Sequence, residues 1–168
     1  HLSARTSSPR GHTNWTHRLS RAISFPGRKQ VTQFIEEVAR PAFSDVRSAL
    51  SEKGHEAVIE GEDGEQEHLS LTVDLGGEED FSYQLWPRAC AMPSFTIRAQ
   101  RSRSEYYRLE VHLREGGLGY DVMGYTREQL IEDVVDHFES HLQYLHLRRE
   151  TTGGTGDVRG EEDSGEPT

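Results

Sequence analysis

Residues 116–125 read Gly-Gly-Leu-Gly-Tyr-Asp-Val-Met-Gly-Tyr, four glycines in ten positions. Glycine lets a backbone approach a phosphate or another small ligand closely. Glu115, Gly116, Gly117, Gly119, Tyr120, Asp121, Gly124 and Tyr125 are therefore the candidate ligand loop. The GxxxxGK[ST] and GxGxxG spacings are both missing, so a tight strand-to-helix crossing accounts for these glycines more simply. Asp133, His137 and His141 recur one helical turn apart, a spacing that can hold zinc. There is no HExxH pattern and no cysteine beside them, and a solvated helix face is expected instead. The acids from Glu60 to Glu67 lack the ligand register of an EF-hand and are expected in a wet hairpin loop. Cys90, the single cysteine, has no histidine near it in sequence and is expected as a small packed or loop residue. No serine sits in G-x-S-x-G, and no carboxylate pair is set by a recognisable scaffold. The expectation is a protein without catalytic residues, bound metal or cofactor.

Charge separates along the chain. Up to Ile35 it carries Arg5, Arg10, Arg18, Arg21, Arg28 and Lys29 and no acid, while the whole sums to −10. An acidic globule repels nucleic acid phosphates, which excludes DNA or RNA as an expected partner. The basic arm has the opposite preference, for anionic lipid headgroups or for acidic protein surface. Arg18, Arg21, Arg28 and Lys29 on the arm, with Glu78, Glu79 and Asp80 on the globule, are the candidate electrostatic docking residues. No apolar run approaches the roughly 18 residues of a membrane span, and no apolar stretch follows the N-terminal basic residues as a secretory signal requires. The opening His1-Leu2 is expected to be a cut end of a longer chain.

Three segments are expected: a basic arm over residues 1–27, partly disordered; an α+β domain over 28–150; and a disordered acidic tail over 151–168. Within the arm, Trp15, Leu19, Ile23 and Phe25 can form one side of a short amphipathic helix that Pro26-Gly27 ends. From Arg28, a 3.6-residue period places Val31, Phe34, Ile35, Val38, Ala42, Val46, Ala49 and Leu50 on one stripe. Pro41 predicts a kink or break in it, and Gly54 its end. The period then becomes two. Strands are predicted over 55–60, 69–75 and 81–85, then around Phe95, Ile97 and Ala99, and over 107–113, with 87–93 as a connection. Gly76-Gly77 marks a turn. Thr126 and Gln129 have the spacing of a capping box, followed by a stripe of Ile131, Val134, Val135, Phe138, Leu142 and Leu145. The expected fold is an antiparallel sheet of about five strands, with an N-terminal and a C-terminal helix packed on one face.

Three stretches carry a resemblance: WTHRLSRAISFPGRKQVTQFIEEVARPAFSDVRSAL, HLSLTVDLGGEEDFSYQLWP and EYYRLEVHLREGGLGYDVMGYTREQLIEDVVDHFESHLQYLHLRRE. In this order, from Trp15 to Glu150, they closely resemble the cytoplasmic C-terminal extension of BetT-type transporters of the betaine/choline/carnitine transporter family. The resemblance implies ion-driven uptake of choline, a precursor of glycine betaine, through membrane helices that this chain does not contain. It implies an extension at the cytoplasmic side of a bacterial inner membrane that modulates uptake under osmotic stress. The arm fits such a place, because basic residues gather where a chain leaves a membrane on the cytoplasmic side. The candidate partners are the membrane domain of the same transporter, anionic lipid headgroups at the arm, and a second copy of the chain. Two mechanisms are open: an electrostatic clamp released as salt screens it, or a receptor domain holding a nucleotide or small ligand between residues 115–125 and the sheet.

Overall fold

The structure is a computed structural model that describes residues 15–61, 68–95 and 103–152. The helices are α1 (Trp15–Ala22), α2 (Arg28–Phe34), α3 (Arg40–Glu52) and α4 (Arg127–Thr152), and a π-helical turn (Ile35–Ala39) joins α2 to α3. The strands are β1 (Ala57–Gly61), β2 (Leu69–Val73), β3 (Phe81–Ala91), β4 (Glu105–Leu113) and β5 (Gly116–Asp121). They form one sheet in the order β1-β2-β3-β4-β5, every neighbouring pair antiparallel. The α+β class and the antiparallel meander are as expected.

Alternation built the central strands. Leu69, Leu71 and Val73 lie opposite Leu85, Tyr83 and Phe81, and all six are buried on the side that meets the helices. Leu109 and Val111 of β4 continue that face. Against it pack Val31, Phe34, Ile35, Ala39, Ala42 and Phe43 from the N-terminal helices, with Leu130 and Val134 from α4.

The expected interruption falls just before Pro41: α2 ends at Phe34, a π-helical turn follows, and Pro41 sits in the first turn of α3. Proline has no N–H to return to a carbonyl one turn back. The chain opens a wide turn just before it, with the Arg40 N–H bonded to the Ile35 carbonyl. One extra residue in a helix rotates the positions beyond it by about 100°. The buried stripe therefore continues through Ala39, Ala42 and Phe43, while Val38, Val46 and Leu50 pack only partly. Gly54 ends α3 with φ +84°, and the Gly54 and His55 N–H groups return to the carbonyls of Ser51 and Leu50.

Two strands differ from expectation. β3 does not stop at Pro87 but runs to Ala91, with Pro87 opposite Leu109. β2 ends at Leu69, opposite Leu85, so among the described residues one side of β3 has no strand partner from there on, and a missing N–H is tolerated. Phe95 lies in a turn rather than a strand, and Ile97 and Ala99 lie outside the described residues. The fifth strand is the glycine-rich segment itself.

α4 begins with the reciprocal cap: the Thr126 N–H donates to Gln129 Oε1 at 3.0 Å and the Gln129 N–H to Thr126 Oγ1 at 3.1 Å. Its buried line is Leu130, Val134 and Leu145. Val135 and Leu142, expected in the core, are 38% and 40% exposed. Arg127 donates to both carboxylate oxygens of Asp45 at 2.6 Å and fastens the start of α4 to α3.

Candidate functional site

The glycine-rich segment is half of a β-hairpin. Gly116 (φ +131°) follows the turn at Arg114-Glu115, and His112 faces Gly117 across the strand pair. A Cβ on Gly117 would come 3.0 Å from the His112 ring, which explains glycine there. The ladder is irregular between Glu110 and His112, so β5 bulges. Asp121 closes the bulge, its Oδ1 accepting the N–H of Leu109 at 2.8 Å and of Met123 at 2.9 Å. Burial pushes this carboxyl above the usual range, against the pull of those two amides. β5 pairs directly with β4, so residues 116–121 are part of the sheet and the clefts beside this segment lie at its two ends, one lined by Glu115 and the other by Asp121, Met123 and Gly124. Glu115, Gly116 and Gly119 are exposed, while Tyr120 and Asp121 face inward.

Gly124 and Tyr125 have another use. The arm comes to them. The Arg21 guanidinium lies 4.9 Å from the centre of the Tyr125 ring, a cation–π contact. The Arg21 stem covers Gly124, where a Cβ would come 2.9 Å from Arg21 Cδ. Gly124 has φ +82°, so glycine is required twice over. At the base of the arm Phe25 is buried edge-on against Tyr106, ring centres 5.1 Å apart. The Pro26 carbonyl accepts the Tyr107 N–H at 2.8 Å, and Arg103 Nη2 donates to the Phe25 carbonyl at 2.7 Å. Phe25 and Pro26, on the arm side of the expected boundary, are thus buried in the body. α1 is helical, as the spacing of its apolar residues predicted. A cleft of about 430 Å³ runs between α1, α2 and the β5–α4 connection, lined by Arg21, Gln30, Gln33, Glu37, Asp121 and Met123 among others.

The other docking candidates fall in two places. Arg18, Arg28 and Lys29 are exposed beside the arm. Glu78 and Glu79 are engaged by the chain's own cations: Arg149 Nε donates to Glu78 at 2.9 Å, and Glu79 pairs with Arg114 at 3.2 Å and Arg148 at 3.7 Å. Asp80 is exposed and lines a cleft of about 230 Å³ with Arg114, His137, His141 and Tyr144.

Sequence reasoning missed a half-buried polar cluster around the buried Tyr83. Asp133 Oδ2 accepts the Tyr83 hydroxyl at 2.5 Å and the Tyr120 hydroxyl at 2.6 Å, and Tyr120 Oη lies 2.8 Å from His137 Nε2. His141 Nε2 meets the Glu79 carbonyl at 2.8 Å. The face of α4 expected to be wet is turned against the sheet. Burial, then Asp133, pushes both tyrosines well above their usual pKa. The available signal was Tyr83, an inward strand position whose hydroxyl needed a partner. Among the described residues no group of three His, Cys, Asp or Glu is placed to hold a metal. Cys90 is half-buried near the end of β3.

An antiparallel sheet covered on one face by helices, with a basic helix docked at its edge loop, is the class of domain that this geometry defines. No family model matches the chain. It is 42% identical over 144 residues, 83% of its length, to the high-affinity choline transport protein of Escherichia coli strain K12. It is 39% identical over 144 residues to the osmo-dependent choline transporter BetT2 of Acinetobacter baylyi. It is 35% identical over 157 residues, 89% of its length, to a glycine betaine transporter of the same species. The chain spans 21% of the first two and 23% of the third. It is therefore a relative, over most of its own length, of one segment of the BetT-type choline transporters.

Proposed function

We propose that the chain is the cytoplasmic C-terminal extension of a secondary transporter for choline and that it modulates uptake under osmotic stress. The observation that carries this is the 42% identity over 83% of the chain to a choline transport protein. A relative whose name includes "osmo-dependent" adds the stimulus. No described helix is long and apolar enough to cross a membrane, so the transport path belongs to the rest of the longer protein.

The partner is the membrane domain of the same transporter, and exposed charge is the sensor. Contacts between solvent-facing charges fade as the Debye length shrinks to about 8 Å at physiological ionic strength. Docking shifts the transporter between less and more active states only through different contacts in the two. Arg21 on Tyr125 and Phe25 against Tyr106 make the arm mechanically continuous with the sheet. A pull on α1 therefore reaches the start of α4.

Choline uptake by the full-length transporter, measured across external osmolality, tests both levels. A truncation before Arg28 should lose the osmolality response. Neutralising Arg18, Arg21, Arg28 and Lys29 should move activation to lower osmolality, because a weaker attraction needs less salt to release. Unchanged activation in the truncation overturns the regulatory role. Loss there with normal activation in the charge variant overturns the clamp alone.

A further inference from the structure

α3 and α4 diverge over the sheet and leave a groove of about 400 Å³. Its walls are Val46, Ala49 and Leu50 on one side and Ile131, Val135 and Phe138 on the other. Its rim is acidic. Glu128, Glu132 and Glu139 stand three or four positions from Ile131 and Val135 on α4, Glu52 three from Ala49 on α3, and all four are exposed. The opposing cations are Lys53 at one end, Arg47, three positions from Leu50, and Arg127, which is paired with Asp45 of the groove wall.

The same chain displays the complement. None of the residues of α1 is buried. Trp15, Leu19 and Ile23, spaced i, i+4 and i+8, are 72%, 55% and 60% exposed. His17, Arg18 and Arg21 lie among them, and α1 contains no acid. Eight residues of helix are about 12 Å long, close to the length of the Asp45–Lys53 wall. Apolar anchors at this spacing are what a hydrophobic groove reads in a helix. In its own copy α1 is held away from the groove by Arg21 on Tyr125 and by the buried Phe25.

We propose that α1 of one copy docks in the α3/α4 groove of a second copy, with Trp15, Leu19 and Ile23, just past its end, inside and Arg18 against the acidic rim. The two surfaces differ, so the contact is head-to-tail, and each copy offers one helix and one groove. It is small and weak, below the area of a stable complex. The proposal stands whether or not the chain regulates transport.

Sedimentation equilibrium of the 168-residue chain at low salt, up to several hundred micromolar, reads it directly. The parent should self-associate, and Leu19→Asp and Val135→Asp should each be monomeric with unchanged circular dichroism. Both positions are exposed, so the fold should survive, and Trp15→Ala provides a milder helix variant that should weaken association at least several-fold. Mixing the two Asp variants should give a dimer and nothing larger, because one retains its groove and the other its helix. A parent that stays monomeric, a variant that assembles like the parent, or a mixture that stays monomeric overturns the proposal. A monomeric parent whose Trp15 fluorescence shifts on phosphatidylglycerol vesicles assigns the stripe to lipid instead.

Discussion

Val134→Asp and Leu109→Asp should each give a chain without a cooperative thermal transition, whereas Val135→Asp should melt much like the parent. Val134 is 1% exposed under α4 and Leu109 is fully buried on β4, so the two report on opposite layers of one core. A carboxylate at either place meets no cation and no donor. Removing the apolar side chain costs about 1.5–3 kcal/mol, and burying an uncompensated charge costs several more, or drives its protonation at a similar cost. Against a typical total of about 5–15 kcal/mol, that is enough to unfold a small domain. Val135 is next in sequence but 38% exposed, so its Asp can stay hydrated. Circular dichroism melts of the three variants check this. Normal melting of both buried variants, or collapse of Val135→Asp alone, would show that α4 faces the sheet differently.

Stability should also fall steeply above pH 10, and the Tyr83–Asp133–Tyr120 cluster should cause much of that fall. Ionising either hydroxyl places a phenolate against the Asp133 carboxylate, and both tyrosines are held protonated in the folded chain. In the unfolded chain they ionise near 10. The folded state then binds more protons, so stability is fully present below about pH 10 and is lost as pH rises further. Tyr83, fully buried, contributes a slope of about 1.4 kcal/mol per pH unit there; Tyr120, partly open to water, contributes less. Tyr106 and Tyr125 are also shifted up by burial and leave a residual slope. Urea unfolding of the parent and of Tyr83→Phe/Tyr120→Phe at pH 8, 10 and 11 separates the contributions. The double variant should be about 2–4 kcal/mol less stable at pH 8, since Asp133 loses two donors, and should lose less thereafter. An alkaline slope equal to the parent's would clear the cluster of this role. His137, which touches Tyr120, is tied to the same group, so its replacement is not the neutral change expected of a solvated face.

Periodicity made the layers legible from the residues alone. Leu69, Leu71 and Val73 alternate because one face of β2 is buried, and that pattern depends only on neighbours two positions away. The capping pair Thr126 and Gln129, the Gly54 stop and the amphipathic α1 are equally local, and each stands where its residues predicted. Relationship to choline transporters was also legible, since it rests on residue order and not on shape. Tertiary structure decided the rest. Whether residues 116–121 are a loop or a strand depends on the free edge of β4, which lies outside the segment. Pro87 stays in β3 because β2 ends opposite Leu85, a fact about a different strand. The extra residue before Pro41 rotates the stripe from Val38 to Ala39, and no count of 3.6 foresees an inserted residue. Asp133 and His137 became half-buried partners rather than fully wet side chains because α4 leans toward Tyr83 and Tyr120, 50 and 13 positions from Asp133 in sequence. A local pattern fixes which side of an element is apolar; only packing fixes what stands opposite, and polar groups take their partners from there.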